Sequence, residues 1–320
     1  MANSRQLNKI MHIKIGTRGS RLALWQAYHV ETLLKKRGVT TEIVIIETKG
    51  DKILDRSLSK IGSKGVFTQE LEDQLRSGEI DIAVHSAKDL QSSLDDDFEL
   101  IAFTEREHAN DVLVSHNTSL SLQSGESFVV GTSSTRRIAI LKHYYPHIKI
   151  VDMRGNLQTR FRKLQEGQCD ALLLAYAGVH RMEYDESIAE HLLLDEFTPA
   201  VGQGSVAIEG AVSLSDEKKA VLKQLLNHEP TEICLRTERA FLKRLQGGCS
   251  IPVFALAILN HDEINISGGI ISLDGQELIR RSETGAIAFP EELGSALADE
   301  LLNAGADRIL QDIRSQNPLV

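Results

Sequence analysis

Cysteine is nearly missing from this chain, with three residues in 320 and no Cys-x-x-Cys pair. That is too few for a disulfide scaffold, and a reducing compartment is the plain setting. Long apolar runs are also missing. No stretch approaches the roughly 20 residues that span a bilayer, and the opening MANSRQLNKIMHIKIGTRGS holds no apolar signal-peptide core. The expectation is a cytoplasmic protein without a membrane partner. Aromatic residues are only 5%, and 36 Lys plus Arg stand against 45 Asp plus Glu, a formal charge of -9. A nucleic-acid partner fits poorly, because neither a stacking series nor a basic surplus is present. No Asp/Glu/His cluster has metal-ligand spacing, and the GxxxxGK[ST] loop of phosphate binders does not occur.

What is there is ordinary for a globular chain: 42% hydrophobic and 25% charged residues. The length of 320 residues exceeds what one core fills, so two or three domains are expected. From His12 the pattern alternates. HIKIG reads as a strand closed by Gly16, and Leu22 to Lys36 places Leu22, Trp25, Val30 and Leu33 on one helical face. EIVIIE, Glu42 to Glu47, is apolar on consecutive positions and reads as a strand covered on both sides. A helix over Phe67 to Leu75 and a strand over Ile80 to Val84 follow. A second α/β block begins after a polar stretch: strand Phe128 to Val130, helix Thr135 to Tyr145, strand Ile148 to Val151, helix Leu157 to Gln165, strand Ala171 to Ala175. TPAVGQGSVAIE, Thr198 to Glu209, reads as a Pro/Gly hinge followed by an apolar run that can return the chain to the first block. The last block differs. Helices over Glu217 to Leu226 and Thr231 to Leu245 precede strands over Pro252 to Leu259, Glu263 to Ser272 and Leu278 to Thr284, with Asp274-Gly275 as a hairpin signal. Two more helices, Glu291 to Leu302 and Ala306 to Ile313, complete an α+β unit.

Arginine placement carries the most chemistry. Arg18 follows the first strand in GTRGS, Arg136 and Arg137 follow another in GTSSTRR, Arg154 and Arg160 bracket MRGNLQTR, and Arg181 follows ALLLAYAGV. Ligands of open α/β sheets sit outside the carboxyl ends of strands, and guanidinium is a rigid donor fork matched to carboxylate or phosphate. In an acidic protein this concentration points to a small polyanion, with ordinary surface ion pairs as the competing reading for any one arginine. Ser133 and Ser134 fit either a ligand or helix N-caps. Lys88 and Asp89 stand just beyond a strand end in DIAVHSAKDL, where a carboxylate can stabilise a developing cation and an ammonium can steer an anion; a plain surface pair is the alternative. Lys60 and Lys64 lie in KIGSKG, a glycine-bearing basic loop. Cys249, in LQGGCSIP between a helix and a strand, is placed where a thiol can face a cleft, although a buried small hydrophobe is the default for any cysteine. Cys169 and Cys234 read as structural.

Together IGTRGSRLALWQA, TKGDKILD, KGVFTQELE, DIAVHSAKDL, VGTSSTRR, MRGNLQTR, PAVGQGSVAIE and ERAFLKRLQGGCSIP resemble the porphobilinogen deaminase (hydroxymethylbilane synthase) family, in family order, from about residue 12 to about residue 310. The resemblance implies two α/β lobes like those of type II periplasmic binding proteins and a small α+β C-terminal domain. Residues 12–104 with 205–226 would form a discontinuous first domain, 108–200 the second and 228–320 the third. It implies a monomeric, cytoplasmic transferase of haem and tetrapyrrole biosynthesis. Four porphobilinogen molecules are joined head to tail on a covalent dipyrromethane, four ammonia leave, and linear hydroxymethylbilane is released near uroporphyrinogen-III synthase. By the same resemblance Cys249 carries the dipyrromethane through a thioether, and Asp89 is the catalytic aspartate beside Lys88. Ser133, Arg136 and Arg137 join those two around the cofactor. Arg18, Ser20, Lys60, Lys64, Thr132, Ser134, Arg154, Arg160, Arg181 and Gln203 fall to the substrate and the growing oligopyrrole.

The chain departs from the family text at Ala87, Leu90 and Gln91, where methionine, valine and proline are usual. It departs again at Thr135, and at Ser205, Val206 and Ala207. None of these removes a charged group; they bear on rate and loop rigidity. A non-catalytic binder of an oligocarboxylate is the rival from another class, and Cys249 discriminates against it.

Overall fold

The computed structural model describes residues 11–52, 68–248 and 251–316. Lys60, Lys64 and Cys249 lie outside the described residues.

The chain opens with β1 (His12–Arg18), α1 (Arg21–Lys35), β2 (Thr40–Ile46), α2 (Lys49–Lys52), α3 (Gln69–Ser77), β3 (Ile82–Ser86) and β4 (Phe98–Phe103). It crosses to a second lobe of β5 (Asp111–Val114), β6 (Val129–Gly131), α4 (Thr135–Tyr144), β7 (Lys149–Val151), α5 (Leu157–Gln165), β8 (Ala171–Ala175), α6 (Tyr176–Arg181) and β9 (Ile188–His191). β10 (Val206–Ala211) and α7 (Asp216–Leu226) lead to a last unit: α8 (Glu229–Arg244), β11 (Val253–Asn260), β12 (Glu263–Ile271), β13 (Leu278–Ala286), α9 (Pro290–Leu301) and α10 (Asp307–Gln316).

The first sheet runs β2-β1-β3-β10-β4, and the second runs β7-β6-β8-β5-β9. The two orders share one plan. Three parallel strands lie on one side, and one strand contributed by the crossing chain runs antiparallel to both its neighbours. β5 fills that place after the outward crossing and β10 after the return, which is the arrangement of type II periplasmic-binding-protein lobes. The crossings run side by side: Glu107 N–H donates to Gly204 O at 3.1 Å and Arg106 Nε to Gln203 O at 2.8 Å.

The central strands of the two lobe sheets are buried on both faces. In the first lobe Ile13, Ile15, Ile82 and Ile208 meet Val30 and Leu34 of α1 and Leu222 of α7, while Ala83 meets Leu71 and Leu75 of α3. The EIVIIE run is not covered on both sides as its composition suggests. β2 is an edge strand, with Ile46 buried and Ile45 56% exposed. The strand expected at Ile80 to Val84 is set two residues later, which puts His85 and Ser86 inside β3.

The C-terminal unit is an antiparallel sheet, β11-β12-β13, with α8 and α9 packed on it through Phe241, Leu297, Leu301 and Ile266. The turn holding Asp274 and Gly275 joins β12 to β13, with Gly275 at φ 79°. It also docks on the second lobe, where Lys142 Nζ donates to Leu273 O at 3.0 Å, and Phe254 and Ile271 enter that lobe's core. Among the described residues no helix is long and apolar enough to cross a membrane.

Candidate active site

The site begins where β3 stops. Ala87, Lys88 and Asp89 form a single 3-10 turn after Ser86. Ala87 N–H donates to Ser205 O at 3.0 Å, and Ala87 and Leu90 are buried with Phe103, Ala207 and Leu235. With its apolar members pulled inward, the turn leaves the Asp89 carboxylate exposed. The return crossing presses against it. Gly202, at φ 77°, lies so close that a Cβ there would come within 2.9 Å of Ala87 C and 3.0 Å of Lys88 N. Only glycine meets both demands.

Gln203 ties the lobes together. It is 1% exposed, and its Nε2 donates to Ala109 O at 2.7 Å and to Asp111 Oδ1 at 2.8 Å. Its Oε1 accepts from Lys88 Nζ at 3.3 Å and from Arg137 Nη2 at 3.5 Å. Lys88 keeps some exposed surface, yet its ammonium is deep enough that desolvation, aided by the Arg137 charge, lowers its pKa to about 8 against the pull of Asp89 and Asp111.

Arg136 and Arg137 stand in the first turn of α4 and are nearly fully buried. They fork around Asp111: Arg136 Nη2 to Oδ2 and Arg137 Nη2 to Oδ1, each at 2.7 Å. Arg136 Nη1 also reaches Thr198 O at 2.9 Å, and Arg137 Nη1 reaches Leu173 O at 3.0 Å. Burial pushes the Asp111 carboxyl up, but the two guanidiniums and the hydrogen bonds from Arg137 and Gln203 hold it well below the usual carboxylate range. Asp111 is the residue the sequence reading missed. A lone acid opening the apolar run DVLV carries no local signal; a charge at the start of a buried strand, with two unpaired arginines elsewhere, is the clue that was available. The arginine pair is therefore not a set of free hands. Each nevertheless keeps a buried Nε donor with no hydrogen-bond partner among the described residues.

The remaining arginines lie at or beyond the carboxyl ends of strands, Arg154 in the turn after β7, Arg160 on α5 and Arg181 at the end of α6. Arg160 Nε donates to Gly155 O at 2.9 Å; burial and the Arg137 charge lower its pKa to about 10, partly offset by Asp89. Arg154 Nε meets Asp152 Oδ2 at 3.0 Å. Arg181 Nη2 donates to Gly204 O at 2.7 Å, and its guanidinium lies 5.1 Å from the centre of the Trp25 ring. Arg18 ends β1, and Ser20 caps α1 by accepting from Ala23 N at 3.2 Å. Ser134 caps α4, Ser133 Oγ donates to Met153 O at 2.5 Å, and buried Thr132 accepts from Ser134 N at 3.3 Å. These hydroxyls set the backbone that presents the arginines. Cys169 and Cys234 are buried, and burial raises each thiol to about 11, as structural cysteines should be.

Lys88, Asp89, Arg137, Arg160 and Gln203 are thus one neighbourhood drawn from both lobes. An excess of desolvated cations with two orphaned buried guanidinium donors fits a ligand bearing several carboxylates, and the single exposed carboxylate is placed to meet a cationic or N–H-bearing part of it.

Known proteins match nearly the whole length. The family model described as "Porphobilinogen deaminase, dipyromethane cofactor binding domain" matches residues 13–219, and "Porphobilinogen deaminase, C-terminal domain" matches residues 232–303. A porphobilinogen deaminase of Cytophaga hutchinsonii is 57% identical over 94% of this chain and 97% of its own length. That of Desulfosudis oleivorans is 52% identical over 96% of this chain and 99% of its own. Among solved structures, the VFT2 domain of Bordetella pertussis BvgS aligns over 67% of this chain and 86% of that one, at 17% identity and a TM-score of 0.42.

Proposed function

The chain belongs to the porphobilinogen deaminase family, and on that premise we propose that Asp89 and Lys88 serve the reacting pyrroles while the surrounding arginines hold their carboxylates. The reaction of this transferase is the head-to-tail joining of four porphobilinogen molecules, with loss of four ammonia and hydrolytic release of linear hydroxymethylbilane. The observation that carries the assignment of residues is the Lys88–Gln203–Arg137–Asp111 bridge, which gathers cations of both lobes beside an exposed Asp89.

Each porphobilinogen brings an acetate and a propionate, so every added ring adds two negative charges. The Nε donors of Arg136 and Arg137 and the Lys88 ammonium take the carboxylates nearest Asp89. Arg18, Arg154, Arg160 and Arg181 receive those farther along the chain, with Lys60 and Lys64 as further cations. Ser20, Thr132, Ser133, Ser134 and Gln203 line the path. Asp89 accepts a pyrrole N–H and offsets the positive charge that develops as ammonia leaves the aminomethyl carbon. The same carboxylate takes the proton that the new carbon–carbon bond makes acidic.

When bound, the dipyrromethane supplies the pyrrole carbon to which the first porphobilinogen is joined. Cys249 is the proposed attachment point, and Asp89, Lys88, Ser133, Arg136 and Arg137 the residues that hold the group. We place the domain limits at 12–104 with 205–226, 108–200 and 228–320, following the sheets to which the strands belong. The enzyme acts as a monomer, since one chain furnishes the whole neighbourhood, and it works in the cytoplasm, in keeping with two free buried thiols. Its product passes to uroporphyrinogen-III synthase.

One experiment tests these roles: intact-mass spectrometry after adding porphobilinogen to the wild type, Cys249→Ala and Asp89→Asn. The wild type should carry two porphobilinogen units less two ammonia and gain heavier discrete species. Cys249→Ala should carry neither, and Asp89→Asn should build the heavier species about 10²–10³ times more slowly. Normal elongation by Asp89→Asn would overturn its role.

A further inference from the structure

Helix α8 reaches from the C-terminal unit to the turn that holds Lys88 and Asp89. Leu235, fully buried, packs with Ala87, Leu90, Phe103 and Ala207. One helical turn later Arg239 extends Nη2 to the carbonyl oxygen of Gln91 at 2.9 Å, two residues past Asp89. Its neighbour Glu238 accepts from Gly202 N at 2.8 Å and from Ala257 N at 2.9 Å. One stretch of α8 therefore fixes the chain leaving the turn, the hinge glycine lying against it, and a strand of the C-terminal sheet.

Arg239 is not a solvated surface cation. Desolvation lowers its pKa, and the charge that offsets this is Glu209. Glu209 is fully buried in β10, with Oε2 2.9 Å from Nε2 of His85. The guanidinium is thus drawn by a buried anion beneath the end of β3 and spends a charged donor on a carbonyl beyond the turn. A charged donor on a backbone carbonyl is among the stronger hydrogen bonds available, and nothing in ordinary surface solubility calls for it there.

We propose that Arg239 is a positioning residue for Asp89. By pinning the Gln91 carbonyl it fixes the exit of the 3-10 turn and so the direction of the Asp89 carboxylate, coupling that turn to the helix that leads toward Cys249. The inference rests on the reading of Asp89 as the catalytic carboxylate. It also names a way to replace the pin. Leu90 has φ -74° and ψ 148°, the extended conformation that a residue before proline adopts. The Gln91 N–H donates no backbone hydrogen bond among the described residues, so proline at 91 would stiffen the exit without removing one.

The test is a set of variants on the holoenzyme: Arg239→Met, Gln91→Pro, the double variant, and Asp89→Asn in parallel. Readouts are steady-state kinetics with porphobilinogen and hydrogen exchange of the peptide spanning residues 86–92. Arg239→Met should lower kcat about 10- to 100-fold, the scale of a misplaced reacting group, with KM changed less than about twofold because carboxylate binding is untouched. Exchange in the 86–92 peptide should rise. Gln91→Pro alone should leave kcat unchanged, and in the double variant it should recover most of kcat and of the protection. Arg239→Lys, which keeps a cation facing Glu209 but loses the planar fork, takes the place of Arg239→Met if the latter does not fold. Unchanged kcat and exchange in the Arg239 variants while Asp89→Asn is impaired would overturn the positioning role alone. So would loss of kcat that proline does not recover. A fully active Asp89→Asn would overturn the catalytic reading on which it stands.

Discussion

Lys88 has the clearest pH signature of the residues at the site. Its proton is lost near pH 8 in the folded protein, where burial and Arg137 oppose the charge, and near 10.5 for an ordinary lysine. Between those values the unfolded chain binds more protons, so this residue adds stability as pH rises through the window and costs stability below it. Binding runs the other way, because only the ammonium attracts a carboxylate. We expect the rate at which cofactor-free protein takes up porphobilinogen to fall on the alkaline side with a midpoint near 8, a measurement made without the cofactor because its carboxylates would hold this ammonium charged to higher pH. Lys88→Arg should move that limb to higher pH, since guanidinium keeps its charge. An alkaline limb identical in the two proteins would assign it to another group. At this scale the sequence told which residues follow strands, and hence Lys88 and the paired arginines. It did not tell that Asp111 already occupies the inner faces of that pair, because the contact joins positions 25 and 26 residues apart in sequence across a sheet.

Elements were legible where their pattern is local. The helix Leu157–Gln165 and the strand Ala171–Ala175 have the limits that periodicity and bounding glycines suggest. β2 was misjudged because coverage of its second face depends on its place in the sheet, which no window of sequence contains, and Ile45 is left 56% exposed. The hinge is a case between these. PAVGQGSVAIE announces a turn, but the reason for Gly202 lies in the Ala87–Lys88 backbone across the gap. Gly202→Ala would force φ 77° on a residue with a Cβ and drive that Cβ to 2.9 Å from Ala87 C. The left-handed conformation alone costs roughly 1–2 kcal/mol, and relief of the contact displaces the Ala87–Asp89 turn. The expected outcome is a lower urea midpoint together with a reduced kcat, measured on the same preparation. Wild-type values for both would mean that the hinge and turn separate freely.

Across the whole molecule, buried charges add to the apolar contacts that join the C-terminal unit to both lobes, and they also link one lobe to the other. Glu238 of α8 takes both terminal nitrogens of Arg106, at 2.5 and 3.3 Å, and so fastens the outward crossing to the C-terminal unit. Asp111 does the same between lobes, holding Arg136 and Arg137 on one side and Gln203, with Lys88 behind it, on the other. Such groups do not add much over a well-packed apolar core, but removing one partner strands the rest. Asp111→Asn would leave two buried guanidiniums facing a neutral amide, at a cost of about 3–5 kcal/mol. The sign of the pH effect follows from its depressed pKa. The carboxylate stabilises the fold above the ordinary aspartate value of 3.8, and that contribution is lost as pH falls below it toward the folded value. Urea unfolding at pH 7 should therefore show the full loss in Asp111→Asn. Between pH 4 and pH 2 the wild type should decline toward the variant, the variant having less left to lose. Parallel acid profiles separated by a constant gap would show that the asparagine acts through shape alone, and that the lobes are held together by something other than this charge.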